Sequence, residues 1–282
     1  MGETARIHEV LVGKPTREGA GVRLLRIFGY NEARMMDPFL LLDHFGSDDP
    51  DDYLAGFPWH PHRGIETITY MIEGEVEHGD SLGNRGAIGS GDIQWMTAGS
   101  GIIHQEMPRR YEGTMRGFQL WANLPARDKM MHPRYRGILS GQVPEVDLDG
   151  VRIKVIAGDL GGTKGAVEDV VIDPIYFDID VPAESSFELP VGPDRTAFAY
   201  VFEGMGSFGP GESQDVSPGQ LALFGEGESI SVTTGVQPVH FIFVAGKPLH
   251  EPIAWGGPIV MNTEEELELA FQEYRDGTFV KE

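Results

Sequence analysis

Apolar residues in this chain gather in short runs rich in Val, Ile, Leu, Phe and Tyr, broken at close intervals by Gly, Pro, Asp and Asn. That punctuation predicts strand after strand. The runs Val22–Phe28, Ile65–Ile72, Asp92–Met96, Gly117–Leu124, Val151–Ile156, Ile175–Val181, Ala197–Phe202, Gln220–Phe224 and Val239–Val244 read as β-strands. Helical spacing is strong only between Thr263 and Arg275. There Leu267, Ala270, Phe271 and Tyr274 recur at i, i+3, i+4 and i+7. Thr263 and Glu266 have the spacing of a capping box, and Gly277 supplies a stop. The pattern predicts an all-β fold with one short C-terminal helix that packs on a sheet.

The strand pattern also repeats. WHPHRGIETITYMIEGE (59–75) aligns with LPVGPDRTAFAYVFEGM (189–205), sharing Tyr70/Tyr200, Glu73/Glu203 and Gly74/Gly204. At almost the same offset GDIQWMTAG (91–99) aligns with GQLALFGEG (219–227). Two matches in the same order predict two copies of one β unit, joined near the polar stretch Gly137–Gly150. The expected domains are 1–136 and 137–282, each the size of a small sandwich or barrel.

Composition narrows the classes. Gly 38 and Pro 19 suit a turn-rich β protein, and 40% hydrophobic residues suffice for a sizeable core. Lys+Arg 22 against Asp+Glu 44 gives a formal charge of −22, which disfavours direct contact with nucleic acid or an anionic membrane. With Cys 0, any metal must be held by His, Asp, Glu or backbone oxygen. The start, MGETARIHEVLVG, has no signal-peptide pattern, and no apolar run approaches the ~20 residues that span a bilayer. These features predict a cytoplasmic, soluble protein.

The candidate chemistry lies in the first copy. His60-Pro61-His62 precedes the strand Ile65–Ile72, and His104-Gln105-Glu106 follows the glycine turn after Asp92–Met96. Alternation along a strand points His60 and His62 one way, and His104 and Glu106 likewise. If the two segments pair, three imidazoles and one carboxylate converge. Such a mixed N/O set suits iron, manganese, nickel, copper or zinc. By the repeat alignment, His60 and His62 fall on Pro190 and Gly192, and His104 and Glu106 on Val232 and Thr234. The second copy loses every candidate ligand, so the ligands serve a site rather than the scaffold.

HPHRGIETITYMIEGEVEHGDSLGN followed by GDIQWMTAGSGIIHQEMP resembles the cupin superfamily, and specifically the pirin family. FLLLDHFG (39–46), WANLPARDKM (121–130) and AGKPLHEPIAWGGPIVMNTEEE (245–266) extend the resemblance over nearly the whole chain. Thr97 stands where the general cupin motif wants proline, a departure that pirins share. The resemblance implies a bicupin, two antiparallel β-sandwich barrels of the double-stranded β-helix type set face to face. It implies one divalent metal ion, iron (Fe2+) foremost, in the N-terminal barrel on His60, His62, His104 and Glu106. It further implies a metal-dependent dioxygenase cleaving flavonols such as quercetin. In that chemistry Glu106, the only acid of the four, is ligand at rest and general base when substrate enters. The alternative is a non-catalytic, redox-sensing regulator that binds a protein partner. Other cupin chemistry, such as isomerisation or decarboxylation, is a third possibility.

Other residues carry weaker signals. Glu66 shares the parity of the first two histidines and reads as an outer partner to an imidazole N–H. His78 and Asp80 lie in a turn-rich stretch that reads as a solvated hairpin. His44, His132, His240 and His250 are isolated. Phe45, Met71, Trp95 and Met107 are candidates for an apolar pocket wall or for core.

Overall fold

The computed structural model describes residues 3–281, and within them every run named above is a strand. The chain divides into two compact units. One comprises Lys14–Ser140 and the segment from Leu249 onward; the other comprises the segment up to Gly13 and Gly141–Pro248. The units are therefore not the contiguous halves 1–136 and 137–282, because each end of the chain belongs with the opposite half. Strand pairing is the reason. β1 (Ile7–Val12) zips antiparallel onto Gln220–Phe224. Near the other end, Ile259 bridges Arg63, and Val260 N donates to Arg63 O at 3.1 Å.

The unit that holds the histidines contains β2 (Lys14–Glu18), β3 (Val22–Phe28), β4 (Phe39–Ser47), β5 (Phe57–His62), β6 (Ile65–Glu73) and β7 (Val76–Asp80). It continues with β8 (Arg85–Ile88), β9 (Ile93–Thr97), β10 (Ile102–Pro108), β11 (Met115–Asn123) and β12 (Arg134–Ile138). A seven-stranded sheet runs β12-β9-β6-β11-β4-β3-β2 and a four-stranded sheet runs β5-β10-β7-β8. Val22, Leu24, Phe45, Met71 and Met115 of the large sheet pack with Val76 and Ile88 of the small one. Burying such side chains contributes about 1.5–3 kcal/mol each.

The other unit repeats this plan, with β1 in the edge place that β12 holds in the first. Its small sheet pairs Ser186–Pro190 with Ser229–Thr233 as β5 pairs with β10. The register corrects one detail of the repeat. Phe187 faces Val232 as His60 faces His104, and Leu189 faces Ile230 as His62 faces Ile102. The loop 191–195 is longer than its counterpart 63–64, so Phe187 and Leu189, not Pro190 and Gly192, take the histidine places. Both barrels are thus the antiparallel cupin type, and the chain is an all-β bicupin.

α1 (Glu264–Arg275) starts where expected, with both hydrogen bonds of the Thr263–Glu266 capping box formed. Leu267 and Ala270 are buried against Ala254, Ile259, Met261 and Phe279. Tyr274 is 39% exposed and stands edge-on to Phe279 rather than in the buried stripe. Among the described residues no helix is long and apolar enough to cross a membrane.

Candidate metal centre

Pairing of β5 with β10 sets His104 directly opposite His60. The ligand atoms of His60, His62 and His104 lie within 4.8 Å of one another. His60 Nδ1 is 2.8 Å from Pro58 O, and His62 Nδ1 is 3.0 Å from Pro258 O. A carbonyl only accepts, so both protons sit on Nδ1 and both Nε2 atoms present lone pairs. Those two nitrogens are 3.0 Å apart. His104 is fully buried, with neither ring nitrogen hydrogen-bonded. Bare acceptors facing one another in a largely buried site repel unless a cation lies among them. Burial, and then the neighbouring imidazoles, hold His62 and His104 well below the ordinary histidine range. Neutral imidazole is the metal-binding form. The residues therefore fit a divalent ion.

Glu106 is placed differently from the three histidines. The β5–β10 register slips between His104 and Glu106, which pairs with Phe57. Its Oε1 accepts from Thr69 Oγ1 at 2.9 Å and from Gln94 Nε2 at 2.7 Å. Oε2 takes part in neither bond. The structure thus gathers three of the four expected ligands and sets the fourth on the wall of the same cavity. That cavity, about 620 Å³, is walled by Phe45, Tyr53, Phe57, Trp121 and Trp255 as well as His60, His62 and Glu106. Met71, Trp95 and Met107 are not among its described lining residues.

Two outer roles read differently in the structure. Glu66 accepts from Thr97 Oγ1 at 2.6 Å, while backbone carbonyls hold the His60 and His62 N–H groups. Thr97, the position that departs from the general cupin motif, is thus the hydroxyl that bonds Glu66 Oε1. Burial raises the Glu66 carboxyl above its ordinary range. His78 and Asp80 are not solvated. They are buried on β7 opposite Glu106 and His104, bonded to each other at 3.0 Å, with the His78 ring stacked 4.4 Å from Tyr135. Burial, and then the Glu106 and Asp80 carboxylates, push Tyr135 up to about 12. His44 is held down to about 4, chiefly by burial, and packs on Phe118. His240 bonds Asp178 at 2.5 Å in the other unit.

Sequence reading missed the tail's contribution. Pro258 and Trp255, beyond the last cupin strand, supply a carbonyl to His62 and part of the cavity wall. The AWGGPIV segment (254–260) showed only as part of a family likeness, since a backbone acceptor leaves no side-chain signature.

Both barrels keep the cupin pairing, and among the described residues only one of them gathers side chains able to bind an ion. The described residues thus form a bicupin with a single candidate metal centre. Residues 21–122 match the Pirin family and residues 176–280 match the Pirin C-terminal cupin domain, so the chain belongs to the pirin family. A pirin-like protein of Caulobacter vibrioides is 46% identical over 96% of this chain and 98% of its own. Human Pirin is 38% identical over 98% of this chain and 94% of its own. The crystal structure of a quercetin 2,3-dioxygenase from Acinetobacter baumannii superposes with a TM-score of 0.90 at 31% identity, covering 98% of both chains.

Proposed function

We propose that this pirin-family chain is a metal-dependent dioxygenase that cleaves flavonols such as quercetin, with iron(II) as its metal. The observation that carries the reading is the cluster of His60, His62 and His104, with His60, His62 and Glu106 opening onto an aromatic-walled cavity of about 620 Å³. That volume suits a small organic ligand. The likeness to a protein named quercetin 2,3-dioxygenase supports the substrate class. His60, His62 and His104 would hold the ion, with Glu106 as fourth ligand at rest. Manganese, nickel, copper and zinc suit the same donors. A divalent ion there supplies Lewis acidity toward an enolic oxygen and a route to dioxygen chemistry.

The remaining work falls to the chain. A flavonol must lose its 3-hydroxyl proton to become electron-rich enough to react with oxygen. Glu106 takes that proton on Oε2, while Thr69 and Gln94 fix the carboxylate through Oε1. Trp121 and Trp255 would shield the reacting face from bulk water. The test is oxygen uptake by protein loaded with each candidate metal in turn. Wild type should consume oxygen with quercetin, and Glu106→Gln should keep its metal while losing about 10²-fold or more in turnover. Undiminished turnover would remove Glu106 as the base. If no metal and no flavonol gives uptake, the dioxygenase reading falls and a metal-dependent regulator that binds a protein partner replaces it.

A further inference from the structure

Across the large sheet of the metal-centre barrel, the register lines up five polar side chains. Arg26 on β3 lies opposite Asp43 on β4, and Asp43 lies opposite Gln119 on β11. Gln119 lies opposite Thr69 on β6, and Thr69 opposite Gln94 on β9. Residues directly opposite share a face, so one row crosses five neighbouring strands. With strands about 4.8 Å apart, the row runs about 14 Å from Thr69 to Arg26. That is the length of a three-ring molecule rather than of one ring.

The two ends of the row are hydrogen-bonded. Thr69 Oγ1 is 2.9 Å from Glu106 Oε1 and 2.7 Å from Gln119 Oε1. Arg26 grips Asp43 in bidentate fashion at 2.9 and 2.7 Å, and Nη1 reaches Glu18 at 2.8 Å. Glu18, Arg26, Asp43, Thr69, Glu106 and Gln119 all line the cavity.

The other barrel shows that the fold does not require this row. There the same register carries Val155, Phe177, Phe243, Ala199 and Ala222. All are buried in that barrel's apolar core. A buried ion pair is often no more stabilising than the hydrophobic residues that could replace it. The second barrel has the apolar solution, and the first has kept the polar one along its cavity.

Unused bonding capacity points to the ligand. Arg26 has five N–H donors, of which three are engaged, and each Asp43 oxygen retains a lone pair. Donors and acceptors at one point suit neutral hydroxyls. A carboxylate or phosphate would meet repulsion from Asp43 and Glu18. We propose that the row is a recognition rail for the edge of a flat polyphenol, its far hydroxyls held by Arg26 and Asp43 and its reacting end at Glu106. The proposal rests on the dioxygenase reading for the reacting end. It narrows the substrate to flavonols hydroxylated on the ring farthest from the metal.

The test is a binding titration on zinc-loaded protein, which does no redox turnover, read by the fluorescence of the cavity residues Trp121 and Trp255. The probes are quercetin and the parent flavonol whose pendant ring carries no hydroxyls. Wild type should prefer quercetin by about tenfold, the equivalent of roughly 1.4 kcal/mol. Asp43→Asn should collapse that preference to within about twofold and leave affinity for the bare flavonol unchanged. Arg26→Gln, at the partly exposed end of the row, is the second variant and should do the same. Equal wild-type affinity for the two probes, or a preference that survives both substitutions, overturns the rail alone. Failure to bind either probe overturns the dioxygenase reading and the rail with it.

Discussion

Replacing Arg63 with methionine should release the C-terminal segment from the metal-centre barrel and, through it, loosen the ring of His62. Arg63 follows the second histidine at the end of β5, and its side chain is 2% exposed. Nε donates to Ser100 O at 2.7 Å and Nη2 to Phe279 O at 2.9 Å. Nη1 pairs with Glu273 Oε2 at 2.7 Å, and the guanidinium sits 4.3 Å from the Phe279 ring centroid. Methionine keeps the apolar stem but leaves two carbonyls without their donor, at about 1–3 kcal/mol each. The Glu273 share is smaller, because that carboxylate is 21% exposed and keeps Lys281 at 2.7 Å. The sum is about 3–5 kcal/mol. In a protein of this size that lowers Tm by roughly 6–20 °C. Circular-dichroism melts of metal-free protein measure it, with hydrogen exchange across 254–279 to locate the loosening. Because the same tail supplies the Pro258 carbonyl to His62, zinc affinity should fall about 10–100-fold. Glu273→Gln should cost under about 1 kcal/mol. A shift below about 2 °C for Arg63→Met, with exchange unchanged, would refute the stapling argument.

Three further outcomes are expected. His60→Ala or His104→Ala should reduce metal content from one ion per chain to a small fraction while the circular-dichroism spectrum stays native, since Val22, Leu24, Met71 and Met115 build the core; two tight ions per wild-type chain would contradict this. Gly64→Ala should destabilise by more than about 3 kcal/mol, because φ is +78° and a Cβ would lie 2.0 Å from Val260 O; an unchanged urea midpoint would count against it. Burial raises the Asp43 carboxyl to about 6 against the lowering pull of Arg26. A raised carboxyl contributes stability that is complete below about pH 4 and lost as pH rises through about 6. Wild type should therefore gain about 2 kcal/mol relative to Asp43→Asn between pH 7.5 and 4 in denaturant titrations, and a pH-independent difference would show the shift to be absent.

What was legible in the sequence, and what was not, divides along the range of the interactions. Strands such as Thr196–Gly204 and Val239–Gly246 declare themselves through runs rich in β-branched and aromatic residues, and α1 through a cap and a stripe a few residues apart. The strands that carry the site are the poorest strand formers. FPWHPH in β5 has two prolines and IIHQEMP in β10 is half polar, so only the histidine spacing marked them. His78 and Asp80 were misread for a related reason: polar groups that satisfy each other in the interior have the composition of a solvated turn. Partnership between distant segments left no local trace at all. Nothing near Ile7 announces a partner at Phe224, and nothing near Pro258 announces the ring of His62. The polar row is the limiting case. Arg26, Asp43, Gln119, Thr69 and Gln94 each stand in the sequence as a separate polar residue of a largely apolar strand, and only the register shows that they share one inner face. A side chain that breaks its barrel's apolar pattern is a candidate for function. Five such breaks, aligned on five strands and all absent from the sister barrel, are far harder to attribute to drift than any one of them, and that alignment is what the Asp43 and Arg26 variants put at risk.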